Sequence, residues 1–172
     1  MISQFFTVSE LLTSTECEEI INYCTGKCKP SSVIDGSKPN VRNSINTFLT
    51  HDELPVMKKI LECVVRVSNE LFNFPLTRVE PIQYAEYTEG MYYDSHIDCG
   101  ENLDLDRDIS VSVFLTPRNQ YEEGNLSFLY PSGWVDANEQ QGSIVVFSSM
   151  LIHKVKKVKK GKRSSLVLWC KK

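Results

Sequence analysis

The chain's 172 residues are enough to bury a substantial core, and 41% apolar with 24% charged side chains exclude a disordered polymer. No apolar run approaches the about 18 residues that cross a bilayer, and residues 1–6 lack a basic-then-apolar leader, so one cytoplasmic domain over 1–172 is expected. The net charge of −3 hides a split: nine of the 19 basic residues lie in 154–172 with no acid, and the other ten against 22 acids leave 1–153 at −12.

In chain order, the first element is a helix. Thr13 and Thr15 each precede a glutamate by three residues (Glu16, Glu18), a capping-box pattern that opens a helix to about Tyr23. Lys29-Pro30-Ser31-Ser32 and Asp35-Gly36-Ser37-Lys38-Pro39 read as loops. A second helix starts near Pro55, since proline suits a first turn, and Val56, Ile60, Val64, Val67 and Leu71 give it one apolar stripe.

From Thr77 the period becomes two. Ile109, Val111, Val113 and Leu115 alternate with Ser110, Ser112 and Phe114, which predicts a half-buried strand. Further β-rich runs cover 79–87, 126–130, 143–147 and 164–169, with turn residues between them. Residues 1–76 are thus mainly helical support and 77–172 a β core, an α+β fold whose β part is a sandwich or small barrel.

The six cysteines (Cys17, Cys24, Cys28, Cys63, Cys99, Cys170) are expected to be free thiols, and Cys24 with Cys28 lacks the second pair a zinc site needs. The lysines around Gly161 read as a solvated strand face and turn rather than a nucleic-acid surface, because no aromatic residues interleave them. The acids Asp94, Glu101, Asp104, Asp106 and Asp108 do not make a calcium loop: counting from Asp104 puts Ile109 where glycine is required. They read as a solvated loop at a site entrance.

Chemistry concentrates elsewhere. Of three histidines, His96 stands two residues before Asp98, and His153 follows 55 residues later, with Arg163 ten beyond it. Side chains at i and i+2 of an extended chain share a face, so His96 and Asp98 could reach one ion. Two histidines and a carboxylate are the facial ligand set of non-haem Fe(II) oxygenases. His51, beside Asp52 and Glu53, reads as a surface residue.

The segments Tyr87-Thr88-Glu89-Gly90-Met91-Tyr92-Tyr93-Asp94-Ser95-His96-Ile97-Asp98, Arg107-Asp108-Ile109-Ser110-Val111-Ser112-Val113-Phe114-Leu115, Gly142-Ser143-Ile144-Val145-Val146-Phe147, His153-Lys154-Val155 and Gly161-Lys162-Arg163-Ser164-Ser165-Leu166 with Trp169 cover about half the chain. Together they resemble the prolyl 4-hydroxylase-like branch of the Fe(II)/2-oxoglutarate-dependent dioxygenases. Arg42-Asn43-Ser44 with Phe48-Leu49 resembles a short segment that precedes the core in that branch. The resemblance implies a double-stranded β-helix (jelly roll) with N-terminal helices buttressing its larger sheet.

It implies Fe(II) on His96, Asp98 and His153, and Arg163 on the distal carboxylate of 2-oxoglutarate, with Ser165 hydrogen-bonding the same group. Tyr87 and Tyr93 would line the pocket, Tyr87 nearer the cosubstrate. O2 would be consumed, with ascorbate as an accessory reductant, and an unactivated C–H hydroxylated with release of succinate and CO2. A prolyl or other amino-acid residue of a peptide or protein, or a free amino acid, is the implied substrate. Two alternatives stand beside it: a nucleic-acid hydroxylase or demethylase of the same superfamily, and a non-catalytic β-helix binding module. Where the branch carries paired glycines before a middle strand, this chain has Glu122-Glu123-Gly124, which leaves that turn's geometry open.

Overall fold

A computed structural model describes residues 5–31, 41–73, 75–99 and 106–172. The predicted loop at Asp35-Gly36-Ser37-Lys38-Pro39, and Ser32, Glu101 and Asp104, lie outside the described residues.

Helix α1 spans Ser14–Cys24 and is closed at its start by the Thr13/Glu16 capping box, with the Thr13 N–H on Glu16 Oε2 at 2.7 Å and the Glu16 N–H on Thr13 Oγ1 at 3.2 Å. Cys17, Ile20 and Cys24 form its buried face. Helix α2, Pro55–Val67, starts on its proline and buries Val56, Ile60, Val64 and Val67 as expected, while Lys59 ties it to Glu16 of α1 at 2.9 Å. Leu71, assigned to the same stripe, is instead 47% exposed. A π-helical turn over Ser68–Phe72 follows α2, and its wider turn brings Phe72 inward in place of Leu71.

The strands make two sheets, antiparallel at every recorded pairing. The larger is built on β1 (Phe6–Val8), β2 (Lys29–Pro30), β4 (Ile45–Leu49), β6 (Ile82–Thr88), β8 (Ile109–Phe114), β12 (Ile144–Ser148) and β14 (Val158–Lys171), in the order β1-β12-β8-β14-β6-β4-β2. Two short strands, β5 (Arg78–Val79) and β9 (Tyr121–Glu123), also pair with β14. The smaller sheet runs β11-β10-β13-β7-β3, from Gly133–Asp136, Leu126–Tyr130, His153–Val155, Tyr92–His96 and Arg42–Asn43 respectively. Two facing sheets with helices on the larger one match the jelly-roll expectation.

Three sequence expectations need correction. The division at residue 76 is not clean, because β1, β2, β3 and β4 come from the N-terminal part and join both sheets. Lys29-Pro30 is an edge strand, where proline's missing N–H costs no ladder bond. The chain does not turn at Gly161: β14 continues through it, because the glycine lets the backbone pass where a Cβ would sit 2.1 Å from the Gln120 carbonyl oxygen.

Strand β8 is the element that matters most for function. All six of its residues are buried, not half of them. Ile109, Val111 and Val113 pack against the helices with Ile60, Val64 and Leu168. The opposite face, Ser110, Ser112 and Phe114, looks into the space between the sheets. Its hydroxyls are therefore not turned to solvent, and something inside must satisfy them.

Candidate active site

Cross-strand register brings the two histidines together. His153 on β13 lies opposite His96 on β7, and their rings are 4.2 Å apart between centroids. Strand β7 ends at His96, so Asp98 sits in the bend beyond it rather than on the strand itself. The Asp98 N–H donates to the Ser149 carbonyl at 2.9 Å, and this anchor turns the carboxylate back between the imidazoles. His96 Nε2 is 3.5 Å from Asp98 Oδ1 and His153 Nε2 is 3.4 Å from Oδ2. One ligand atom from each residue falls within 4.8 Å of the others, the sole such cluster of three among the described residues.

The next shell fixes the ring orientations. His96 Nδ1 lies 2.7 Å from the Asp94 carbonyl and His153 Nδ1 2.8 Å from the Leu151 carbonyl. A carbonyl only accepts, so each Nδ1 carries a proton, which aims each Nε2 at the cluster, where the neutral ring offers a lone pair to a metal. The Ser110 hydroxyl donates to Asp98 Oδ2 at 2.6 Å and contacts the Ser149 hydroxyl at 2.9 Å, which holds the carboxylate plane. Burial raises the Asp98 carboxyl pKa, but the neighbouring His153 and His96 outweigh it and hold it well below the usual carboxylate range. Burial pushes His96 down. An ionised, 7% exposed carboxylate between two imidazole Nε2 atoms that can each give up a proton is a donor set suited to a divalent cation.

Arg163 shares the cavity with this cluster, as do Tyr87, Tyr93, Ser112, Ser165 and Trp169. It lies on β14 opposite Tyr87 of β6, with its guanidinium 5.7 Å from that ring and 5.6 Å from the Phe114 ring. Strand β8 thus runs from the metal end at Ser110 to the arginine end at Phe114, a rise of about 13 Å with Ser112 between. Arg163 is 2% exposed and its pKa is raised; burial opposes its charge, but Glu139 more than compensates. Its Nη1 donates to Ser165 Oγ at 3.1 Å, while Nε and Nη2 donate to Glu139 Oε2 and Oε1, each at 3.1 Å. Three of the five guanidinium N–H groups are so engaged. At the other end of the cavity, where Trp169 pairs with Ser110, the Trp169 indole N–H is buried without a partner among the described residues. A cavity with a candidate metal-ligand cluster at one end and two unspent guanidinium N–H donors at the other matches the charges of a short dicarboxylate.

All seven sequence-derived site residues line this one cavity. Tyr93 stacks on His96 at 3.6 Å, and burial pushes its phenol up to about 12, so it stays protonated. Arg42 covers the other face of the assembly, 4.7 Å from the Tyr93 ring, and donates to Gln83 Oε1 at 2.8 Å. Arg107 clasps Glu80 through two bonds of 2.8 and 2.6 Å and lies 3.9 Å over the Trp169 ring. Ser110, Gln83 and Glu139 were missed in the sequence. Ser110 was hidden in an alternation that imitates a solvent face, and Glu139 lies in a polar segment with no periodicity.

Other expectations resolve simply. The turn at Glu122-Glu123-Gly124 survives, with Glu123 at φ 59° and Gly124 at φ 74°. Cys24 is buried, its thiol pushed up to about 12 by desolvation, and Cys28 Sγ contacts the Cys24 carbonyl, so the pair joins no ligand cluster. His51 is exposed and its Nε2 lies 2.9 Å from the Glu80 carbonyl. The lysines are matched one by one: Lys156 with Asp136, Lys159 with Glu123, Lys160 with Glu122, and Lys162 with Glu86. Lys154 covers the Trp134 ring and Lys157 the Tyr92 ring. No described helix is long and apolar enough to cross a membrane.

Residues 82–171, more than half of the chain, match the family model of the 2OG-Fe(II) oxygenase superfamily. A protein of Acanthamoeba polyphaga mimivirus, provisionally named a prolyl 4-hydroxylase, is 28% identical over 131 residues, 72% of this chain and 52% of that protein. The chain therefore spans about half the length of that relative. The crystal structure of a Pseudomonas putida prolyl-4-hydroxylase superposes with a TM-score of 0.81 at 20% identity, covering 100% of this chain and 94% of that one. A prolyl hydroxylase from Trichoplax adhaerens, in complex with a hypoxia inducible factor oxygen degradation domain peptide fragment, gives 0.77 at 23% identity, covering 98% and 83%. At these identities the two structures establish the shared fold.

Proposed function

The chain belongs to the 2OG-Fe(II) oxygenase superfamily, and from that premise we propose that it hydroxylates a prolyl residue of a peptide or protein. It is a dioxygenase of a family that uses Fe(II), 2-oxoglutarate and O2. The observation that carries the reading is the convergence of His96, Asp98 and His153 with Arg163 in one buried cavity. His96, Asp98 and His153 would hold iron, and Arg163 with Ser165 would bind the distal carboxylate of 2-oxoglutarate, as a planar guanidinium does best. Bound there with O2, iron and cosubstrate would supply the oxidation that turns a substrate C–H into C–OH, with 2-oxoglutarate leaving as succinate and CO2.

The chain's own contribution is placement and dryness. Ser110 holds Asp98 Oδ2, and the two backbone carbonyls hold the imidazole tautomers. Phe147, with its ring 4.8 Å from His153, and Phe128 keep water from the ligand side. Tyr87 and Tyr93 wall the cavity, Tyr93 as a protonated donor. A peptide is favoured over nucleic acid because the lysines that would greet a phosphate backbone already face acids or rings.

The test is succinate formation measured across proline-containing peptides, free amino acids and methylated oligonucleotides. Peptide-stimulated turnover that vanishes in Asp98→Ala is expected. Stimulation by oligonucleotides alone would refute the substrate class, and undiminished turnover in Asp98→Ala would refute the ligand assignment.

A further inference from the structure

We propose that Glu139 is a positioning residue that fixes the guanidinium edge of Arg163 and so sets which chain length of 2-oxo dicarboxylate the site accepts. The proposal rests on Arg163 being the cosubstrate anchor. A glutamate beside such an arginine is at first sight a handicap, because it competes with the incoming carboxylate for the same donors. Two roles are open to it: a plug displaced on binding, or a fixed strut.

The contacts decide for the strut. Glu139 Oε2 accepts from the Tyr121 hydroxyl at 2.5 Å and from Arg163 Nε at 3.1 Å. Oε1 accepts from the Leu126 N–H at 2.5 Å and from Arg163 Nη2 at 3.1 Å. The side chain is 0% exposed. Moving it would strand a backbone N–H and a phenol in a site closed to water, which costs more than one cosubstrate hydrogen bond returns.

The strut also determines which face of the arginine is free. Glu139 takes the Nε/Nη2 edge and Ser165 takes one Nη1 proton, so the guanidinium plane and its rotation are set before cosubstrate arrives. What remains is one proton on Nη1 and one on Nη2, the two donors left for an incoming carboxylate. Glu139 further bridges the sheets. Its partners Leu126 and Arg163 lie on β10 and β14, and β10 pairs with β13, which carries His153. The distance from metal ligands to arginine is thus pinned at the closed end of the cavity, and that distance is what a dicarboxylate held at both ends must match.

Equilibrium binding of 2-oxoglutarate and of 2-oxoadipate, one methylene longer, tests this on the whole 172-residue chain loaded with Fe(II) under anaerobic conditions. The visible band of the metal chelate gives each Kd. Removing the glutamate charge in Glu139→Gln strengthens attraction for both dianions alike, so the ratio of the two Kd values isolates positioning. The preference for 2-oxoglutarate is expected to fall about fivefold in Glu139→Gln, the worth of one misaligned hydrogen bond, with Fe(II) affinity unchanged. Should that variant fail to fold, Tyr121→Phe loosens the same carboxylate and is expected to lower the ratio about twofold. An unchanged ratio in a folded variant overturns the proposal. Arg163→Lys is expected to weaken both ligands about tenfold; if it leaves both Kd values as they were, the arginine assignment itself fails, and the proposal with it.

Discussion

Ser110→Ala removes a hydroxyl that need never touch iron, and it isolates what carboxylate orientation contributes to the metal site. The Ser110 Oγ–Asp98 Oδ2 bond is 2.6 Å long, with Ser110 0% and Asp98 7% exposed. A buried hydrogen bond to a charged group contributes about 1.5–3 kcal/mol, so the metal-free variant should lose roughly that much stability. The Asp98 backbone stays in place, because its N–H donates to the Ser149 carbonyl independently of Ser110. What is lost is the fixed carboxylate plane. Groups that orient a ligand in this way are worth about 10–100-fold in metal affinity. Mn(II) titration followed by electron paramagnetic resonance measures that loss, and urea unfolding in chelator measures the stability change separately. If stability falls as calculated but Mn(II) affinity stays within about twofold of the parent, the serine merely satisfies a buried charge and the orientation argument is wrong.

Three further outcomes test other parts of the structure. Burial raises the thiols of Cys17 to about 11 and of Cys24 and Cys170 to about 12, from an unfolded value of 9.0. Stability from keeping them neutral is complete below pH 9 and lost above it, about 4 kcal/mol by pH 10 for the three together, and a Cys17→Ala/Cys24→Ala/Cys170→Ala variant should show a flatter alkaline limb in urea titrations. Gly161→Ala would force a Cβ to 2.1 Å from the Gln120 carbonyl oxygen at φ +79°; a loss of about 3 kcal/mol is expected in chemical unfolding, and a loss under about 1 kcal/mol would mean that β9 yields easily. Thr13→Ala breaks the capping box of α1 and should lower the unfolding midpoint by the equivalent of about 1 kcal/mol with an unchanged denaturant slope.

Legibility in the sequence followed from how few residue types do each job. The convergence of His96, Asp98, His153 and Arg163 in one cavity was readable because few residue types suit metal ligation and carboxylate binding, and the chain holds only three histidines. The helices were readable from Thr13, Glu16 and Pro55, which act locally. Leu71 was misplaced because a π-helical turn changes the period without any residue announcing it. Strands β1, β3 and β9 escaped because two or three residues carry no alternation. Glu123 takes a left-handed conformation that sequence reasoning reserves for glycine, and it does so beside Gly124, whose added Cβ would meet Val158 at 2.7 Å.

The most instructive error concerns Ser110 and Ser112. Period-two alternation reports that two faces differ, and the usual inference assigns the polar face to water. Here both faces of β8 are buried, so the polar face must be satisfied from within. Ser110 is, by Asp98 and Ser149. Across the same cavity the arginine is matched by Glu139 on one edge and by Ser165 at one further N–H, which leaves two guanidinium N–H groups over. Buried polar groups rarely stay unmatched, so donors left over in an otherwise saturated interior mark where a ligand completes the accounting. The serine alternation that looked like a solvent face is thus one wall of the cavity, and the two free guanidinium N–H groups opposite the His96, Asp98 and His153 cluster are what a bound carboxylate would complete.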